Sequence, residues 1–212
     1  MKSIDSAQAG LMLQAAARRI IESKPRLTEL DGKIGDGDHG IGMALGMEKA
    51  EAALAALPED VTVNERFIAV GKAMLTSMGG ASGVIFGTMF RAGAKELPPA
   101  RELDADMLRR LFRGSLEAVK ARGGAARGDK TMVDALEPAV EAMEASGSEE
   151  LEELLGLAEA AALEGAEATK EMVARFGRAK SLMERSLGHQ DAGATSVWLI
   201  FGAMHEYVRK LC

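Results

Sequence analysis

Apolar residues recur at i, i+3 and i+4 along nearly the whole chain, and this spacing restricts what it can fold into more than any other feature. A 3.6-residue period specifies amphipathic helices, whereas strands need alternation or β-branched runs, which are scarce here. Only 4% of the residues are aromatic. About eight helical segments follow from the pattern. They run from Ser6 to Ser23, Ile41 to Leu57, Asn64 to Met78, Ser82 to Lys95, Asp104 to Arg122, Thr131 to Ala145, Glu149 to Arg175, and Ala192 to Val208. The fold class is therefore all-α. The 13 methionines and many alanines suit closely packed helices and read as core filler.

The chemistry-bearing residues are unevenly distributed among the connections. Asp31 to Gly40, Met78 to Gly83, Gly123 to Thr131, and Phe176 to Asp191 follow the first, third, fifth and seventh segments. The other connections, around Pro58 to Val63, Leu97 to Leu103 and Ser146 to Ser148, hold ordinary helix breakers and charges. Short connections favour antiparallel neighbours, so alternate loops share one end of a bundle. The four unusual loops are expected to meet on one rim.

Composition bounds the partners. With 47% hydrophobic and 27% charged residues the chain can bury a core, and no repeat or low-complexity linker divides it, so residues 1–212 are expected to form a single domain. A net charge of -6 and a pI near 5.3 argue against nucleic acid or an anionic membrane as partner. The one cysteine is Cys212, which excludes an internal disulfide. No stretch approaches the length of a membrane span. A cytoplasmic protein is expected.

Leu30-Asp31-Gly32-Lys33-Ile34-Gly35-Asp36-Gly37-Asp38-His39-Gly40 crowds three carboxylates and a histidine into a glycine-rich segment. Such oxygens suit Mg²⁺, which retains open positions for phosphate oxygens. Gly35 to Gly40 also fits the dinucleotide fingerprint G-x-G-x-x-G, but no buried strand precedes it, and its carboxylates would face a pyrophosphate without a cation. An EF-hand loop starting at Asp36 would need glycine and glutamate where the chain has Ile41 and Met47.

Gly79-Gly80-Ala81-Ser82-Gly83 precedes an apolar helix. Ser82 can cap it while free N–H groups point outward as a phosphate cradle; a tight interhelical turn would use the same residues. Gly123 to Thr131 comes within one inserted residue, Asp129, of a Walker P-loop, but a helix-like segment precedes it instead of the required strand. Its glycines and Thr131, a candidate helix cap, can still line a nucleoside site. Arg178 can clamp phosphate, and Asp191 can act as cap, ligand or both. His39 and His189, in the rim loops beside acidic residues, are better candidates than His205, which falls inside the last helix. A nucleoside triphosphate brings about four negative charges to the three aspartates, more than Arg178 and one Mg²⁺ can balance, so two Mg²⁺ ions are expected.

Four ordered motifs, Gly35-Asp-Gly-Asp-His-Gly40, Gly79-Gly-Ala-Ser-Gly83, Gly128-Asp-Lys-Thr-Met132 and Glu184-Arg-Ser-Leu-Gly-His-Gln-Asp191, resemble the nucleotide-binding L subunit of dihydroxyacetone kinase, a type also seen as the C-terminal domain of single-chain kinases. The resemblance covers most of the chain. It implies an eight-helix antiparallel barrel with ADP or ATP at one rim. It also implies that Asp31, Asp36 and Asp38 hold two Mg²⁺, that His39, Gly80, Ala81, Ser82 and Thr131 line the phosphate and nucleoside site, and that Gly123, Met132, Arg178, Asp191 and Gly193 complete it. In that family a separate K subunit holds the ketose covalently on a histidine. Some members use ATP directly, and others rephosphorylate bound ADP from a phosphotransferase-system phosphoprotein. Gly42, Ala192 and the Lys180 to Met183 stretch depart from the pattern usual in phosphotransferase-type members, which leaves the donor and the ketose open, as the sequence leaves homodimerisation open. The alternative is a non-catalytic nucleotide or metal sensor that docks to a regulatory protein.

Overall fold

The computed structural model describes every residue, Met1–Cys212. Nine α-helices form: α1 (Ser6–Glu22), α2 (Lys24–Ile34), α3 (His39–Ala55), α4 (Val63–Ser77), α5 (Gly80–Glu96), α6 (Ala105–Gly123), α7 (Val133–Ala145), α8 (Leu151–Ala168) and α9 (Ala192–Leu211). Several start where short polar side chains satisfy free N–H groups. Asp5 with Gln8 and Thr62 with Glu65 form reciprocal capping boxes, and Asp104 accepts from the Met107 N–H at 2.8 Å. Gly124, at φ 73°, ends α6 in the left-handed conformation that glycine adopts without penalty.

Packing closes eight of these helices into a ring in the order α1, α3, α4, α5, α6, α7, α8, α9 and back to α1, with α2 outside it against α3 and α9. Inside, Phe112 lies 6.4 Å from Phe67 and 4.9 Å from Phe201, ring centre to ring centre, tying α4, α6 and α9 together. Close approach relies on missing side chains. A Cβ on Gly71 would sit 2.5 Å from the Gly87 carbonyl, so α4 and α5 touch backbone to backbone. Pro138 inside α7 lacks the N–H that would bond Asp134 O, and Gly165 of α8 packs directly on that freed carbonyl.

The structure departs from the sequence expectations at five places. Lys24–Ile34, read as loop, is helical: Pro25 pre-sets its first turn, and Leu27 and Ile34 are buried where the amphipathic signal is weak. The segment read from Ile41 begins at His39. Glu149 to Arg175 is not one helix; α8 stops at Ala168, and Thr169 turns the chain through a 3₁₀ turn (Thr169–Glu171), with its hydroxyl bonded back to Ala166 O at 2.6 Å. Ser82 is not a cap, because α5 starts two residues earlier, at Gly80, with Gly79 before it and no side-chain cap. Thr131 is not the N-cap of α7 either; Met132 holds that position, and Thr131 Oγ1 accepts from the Val133 N–H at 3.2 Å.

Two short strands, β1 (Ser3–Asp5) and β2 (Glu102–Asp104), were not anticipated; they pair antiparallel with buried Ile4 opposite Leu103. The plain connections gather at the same end of the ring. There Asn64 Nδ2 donates to Ala94 O (2.8 Å), and Arg109 donates to Met143 O and Ser146 O, both at 2.9 Å. No helix is long and apolar enough to cross a membrane.

Candidate active site

At the other end, the four unusual connections line one cavity of about 680 Å³, within the range of small-molecule sites. Its walls include Asp31, Asp36 and Asp38 from the first connection, Gly80 to Ser82 from the second, Lys130 to Met132 from the third, and Arg178, Asp191 and Gly193 from the last. All residues with left-handed φ, six glycines with Lys130 and Met183, belong to these same connections. Glycine takes this conformation without penalty, so Lys130 and Met183 are the two residues strained by it.

Asp31 sits in the last turn of α2, while Asp36 and Asp38 flank Gly37, whose φ of 77° lets the chain turn between them. One carboxylate oxygen from each lies within 4.8 Å of the others. Burial first, then the charges of Asp36 and Asp31, hold the Asp38 carboxyl above its ordinary range. Two contacts relieve the crowding: Arg178 Nε lies 3.1 Å from Asp36 Oδ2, and the His39 N–H donates to Asp31 Oδ2 at 3.2 Å. Exposed, clustered hard oxygens with one partly screened are a fit for Mg²⁺.

His39 is a wall, not a base. Its ring is buried at the start of α3, with Nε2 2.9 Å from Ser196 Oγ, which gives its own proton to Ala192 O at 2.9 Å. Burial lowers its pKa to about 4, so it stays neutral. Asp191 caps α9, accepting from the Ala194 N–H at 2.7 Å, and desolvation pushes its carboxyl up to about 6. The expected cap is present, and Asp191 also faces the cavity.

The remaining candidates divide. Gly123 stands one layer back, where a Cβ would meet Ile85 of the wall at 3.2 Å. His189 is absent from the lining and contributes its backbone carbonyl, to Lys130. His205, half-buried, pairs with Glu159 at 2.6 Å between α8 and α9. Lys130 and Phe176 were missed as wall residues. The near-P-loop spacing around Gly128 and Thr131 is the local signal that marks the lysine. Nothing local marks Phe176.

Fold and cavity together define an all-helical barrel domain whose single polar rim can take a phosphate ester beside a hard cation. A model described as the DAK2 domain matches residues 33–206, and the chain belongs to that family. It is 41% identical over 173 residues to the PEP-dependent dihydroxyacetone kinase, ADP-binding subunit DhaL, of Escherichia coli K12, covering 81% of this chain and 82% of that one. It is 38% identical to the D-erythrulose kinase of Mycolicibacterium smegmatis over 188 residues, 87% of this chain but 32% of that longer protein. Among solved structures, the dihydroxyacetone kinase of C. freundii in complex with AMP-PNP and Mg²⁺ superposes with a TM-score of 0.74 at 27% identity, covering 94% of this chain and 34% of that one.

Proposed function

We propose that this chain is the ADP- or ATP-binding subunit of a short-chain ketose kinase of the dihydroxyacetone type, and that its residues 1–212 act as one nucleotide-binding domain. The observation that carries this is the meeting of the Asp31, Asp36 and Asp38 oxygens with the Gly80–Ser82 turn and Arg178 around one cavity. The carboxylates would hold two Mg²⁺, which when bound neutralise phosphate charge. The α5 start, Thr131, Met132, Gly193 and Arg178 would orient the nucleotide so that its terminal phosphoryl group faces open solvent at the rim. In the triphosphate form the bond from the terminal phosphorus to its bridging oxygen then breaks, leaving ADP, as a new P–O bond forms to a ketose hydroxyl whose proton passes to a base.

His39, the one histidine in the lining, is buried and already paired, so it is not placed to take that hydroxyl's proton. This supports a ketose and a base supplied by a separate K-type subunit, without which the chain is inactive. The likeness to both dihydroxyacetone and erythrulose kinases favours a three- or four-carbon ketose. Titration of the metal-stripped chain with ADP and ATP, each with and without Mg²⁺, tests the reading. Mg-dependent ADP binding that survives dialysis supports rephosphorylation of a resident cofactor by a phosphoprotein. Exchangeable ATP supports direct use. Absence of binding to either overturns the proposal.

A further inference from the structure

Lys130 lines the cavity, yet the proposed function gives it no task. Its backbone is left-handed at φ 61°, a conformation that an L residue keeps only when its surroundings impose it. The residue is 2% exposed, and burying an ammonium is unfavourable unless its protons find acceptors. They do: Nζ donates to Thr169 O at 2.6 Å and to His189 O. Both acceptors belong to the long connection between α8 and α9, whereas Lys130 is on the connection between α6 and α7. Burial lowers the ammonium's pKa, and the charges of Asp191 and Asp134 oppose that shift.

The link continues on both sides. Thr169 Oγ1 accepts from the Asp191 N–H at 2.9 Å, and Asp191 caps α9. On the other side, buried Asp134 accepts from the N–H groups of Gly128 (2.5 Å) and Thr131 (2.8 Å), fixing the loop that carries Lys130. One cation therefore joins the wall bearing Thr131 and Met132 to the wall bearing Asp191 and Gly193. These walls nearly touch, since a Cβ on Gly193 would lie 3.5 Å from Met132 Cβ.

We infer that Lys130 is a positioning residue for the nucleotide: its ammonium, held between the Thr169 and His189 carbonyls, sets the separation of these two walls. This rests on the nucleotide reading of the cavity. The carboxylate trio is carried by α2 and the turn before α3 and shares no hydrogen bond with the link. Loss of the ammonium should weaken nucleotide binding and leave metal binding alone.

The test compares the full-length wild-type chain with Lys130→Met and Thr169→Val. Each is titrated calorimetrically with ADP in Mg²⁺, and with Mn²⁺ alone by electron spin resonance. Lys130→Met is expected to lose ADP affinity by about tenfold or more, the scale of a misplaced binding wall, with Mn²⁺ affinity within about twofold. Thr169→Val is expected to lose ADP affinity by about threefold to tenfold. A folded Lys130→Met that binds ADP like the wild type overturns the inference, and so do equal losses for ADP and Mn²⁺, which a general loosening would give. Should Lys130→Met not fold, Lys130→Gln, too short to reach both carbonyls and without the charge, is measured in its place, and unchanged ADP affinity in it overturns the inference. Failure of the wild-type chain to bind ADP overturns the functional reading as well.

Discussion

Replacing Asp38 by asparagine should make the metal-free chain more stable while removing its response to Mg-nucleotide. Oxygens of Asp31, Asp36 and Asp38 lie within 4.8 Å of one another. At that separation two unit charges repel by roughly 0.9 kcal/mol in bulk water and about 3.5 kcal/mol at an effective dielectric of 20. Asp36 and Asp38 are exposed, so the low end applies. Asp38→Asn removes two such repulsions, a gain of about 1–2 kcal/mol, or about 3–6 °C in midpoint for a chain of this size. Asp36→Asn gains less, because it also gives up the Arg178 ion pair. With ADP and Mg²⁺ at a hundred times Kd the wild type should gain about 2.7 kcal/mol, and either variant close to none. Urea and thermal melts at low salt, with and without Mg-ADP, measure all six states; about 1 M NaCl should erase the metal-free gain. A metal-free Asp38→Asn less stable than wild type, or one that keeps the Mg-ADP shift, refutes the crowded-carboxylate argument.

The buried His39 gives a pH signature in the metal-free chain. Its pKa of about 4 in the fold lies below the ordinary 6.5, so the unfolded chain takes up the proton first and the stabilising contribution drains away as pH falls from about 6.5 to 4, up to about 3 kcal/mol. Asp191, raised to about 6, acts with the opposite sign over an overlapping range. The readout is therefore the difference between wild type and His39→Gln, which should shift by about 3 kcal/mol in favour of the variant across that window; parallel curves contradict it. Phe112→Ala, at the centre of the aromatic contacts inside the ring, should cost about 3–5 kcal/mol in urea melts. ADP affinity measured on the folded fraction should be unchanged, and a matched loss would tie the core to the rim.

Much of this molecule is set by local rules. The apolar period and the caps at Asp5, Thr62, Asp104 and Asp191 specify where most helices run, because each is satisfied within a few residues. The carboxylate spacing around Gly37 and the alternation of rich and plain connections likewise place the site on one rim. What local rules leave out depends on partners distant in sequence. An amphipathic stripe says that a helix is covered, not by which neighbour. α2 is held by burial of Leu27, by Arg26 over the Trp198 ring at 4.9 Å and by the bare Gly40 backbone, and the partners Trp198 and Gly40 lie outside its own eleven residues. The end of α8 is decided by the Thr169 hub, whose carbonyl takes the Lys130 ammonium. Ring closure turns a surface-type lysine into a buried cation and moves His189 out of the lining, because burial and charge pairing are properties of the assembled walls and not of any segment alone.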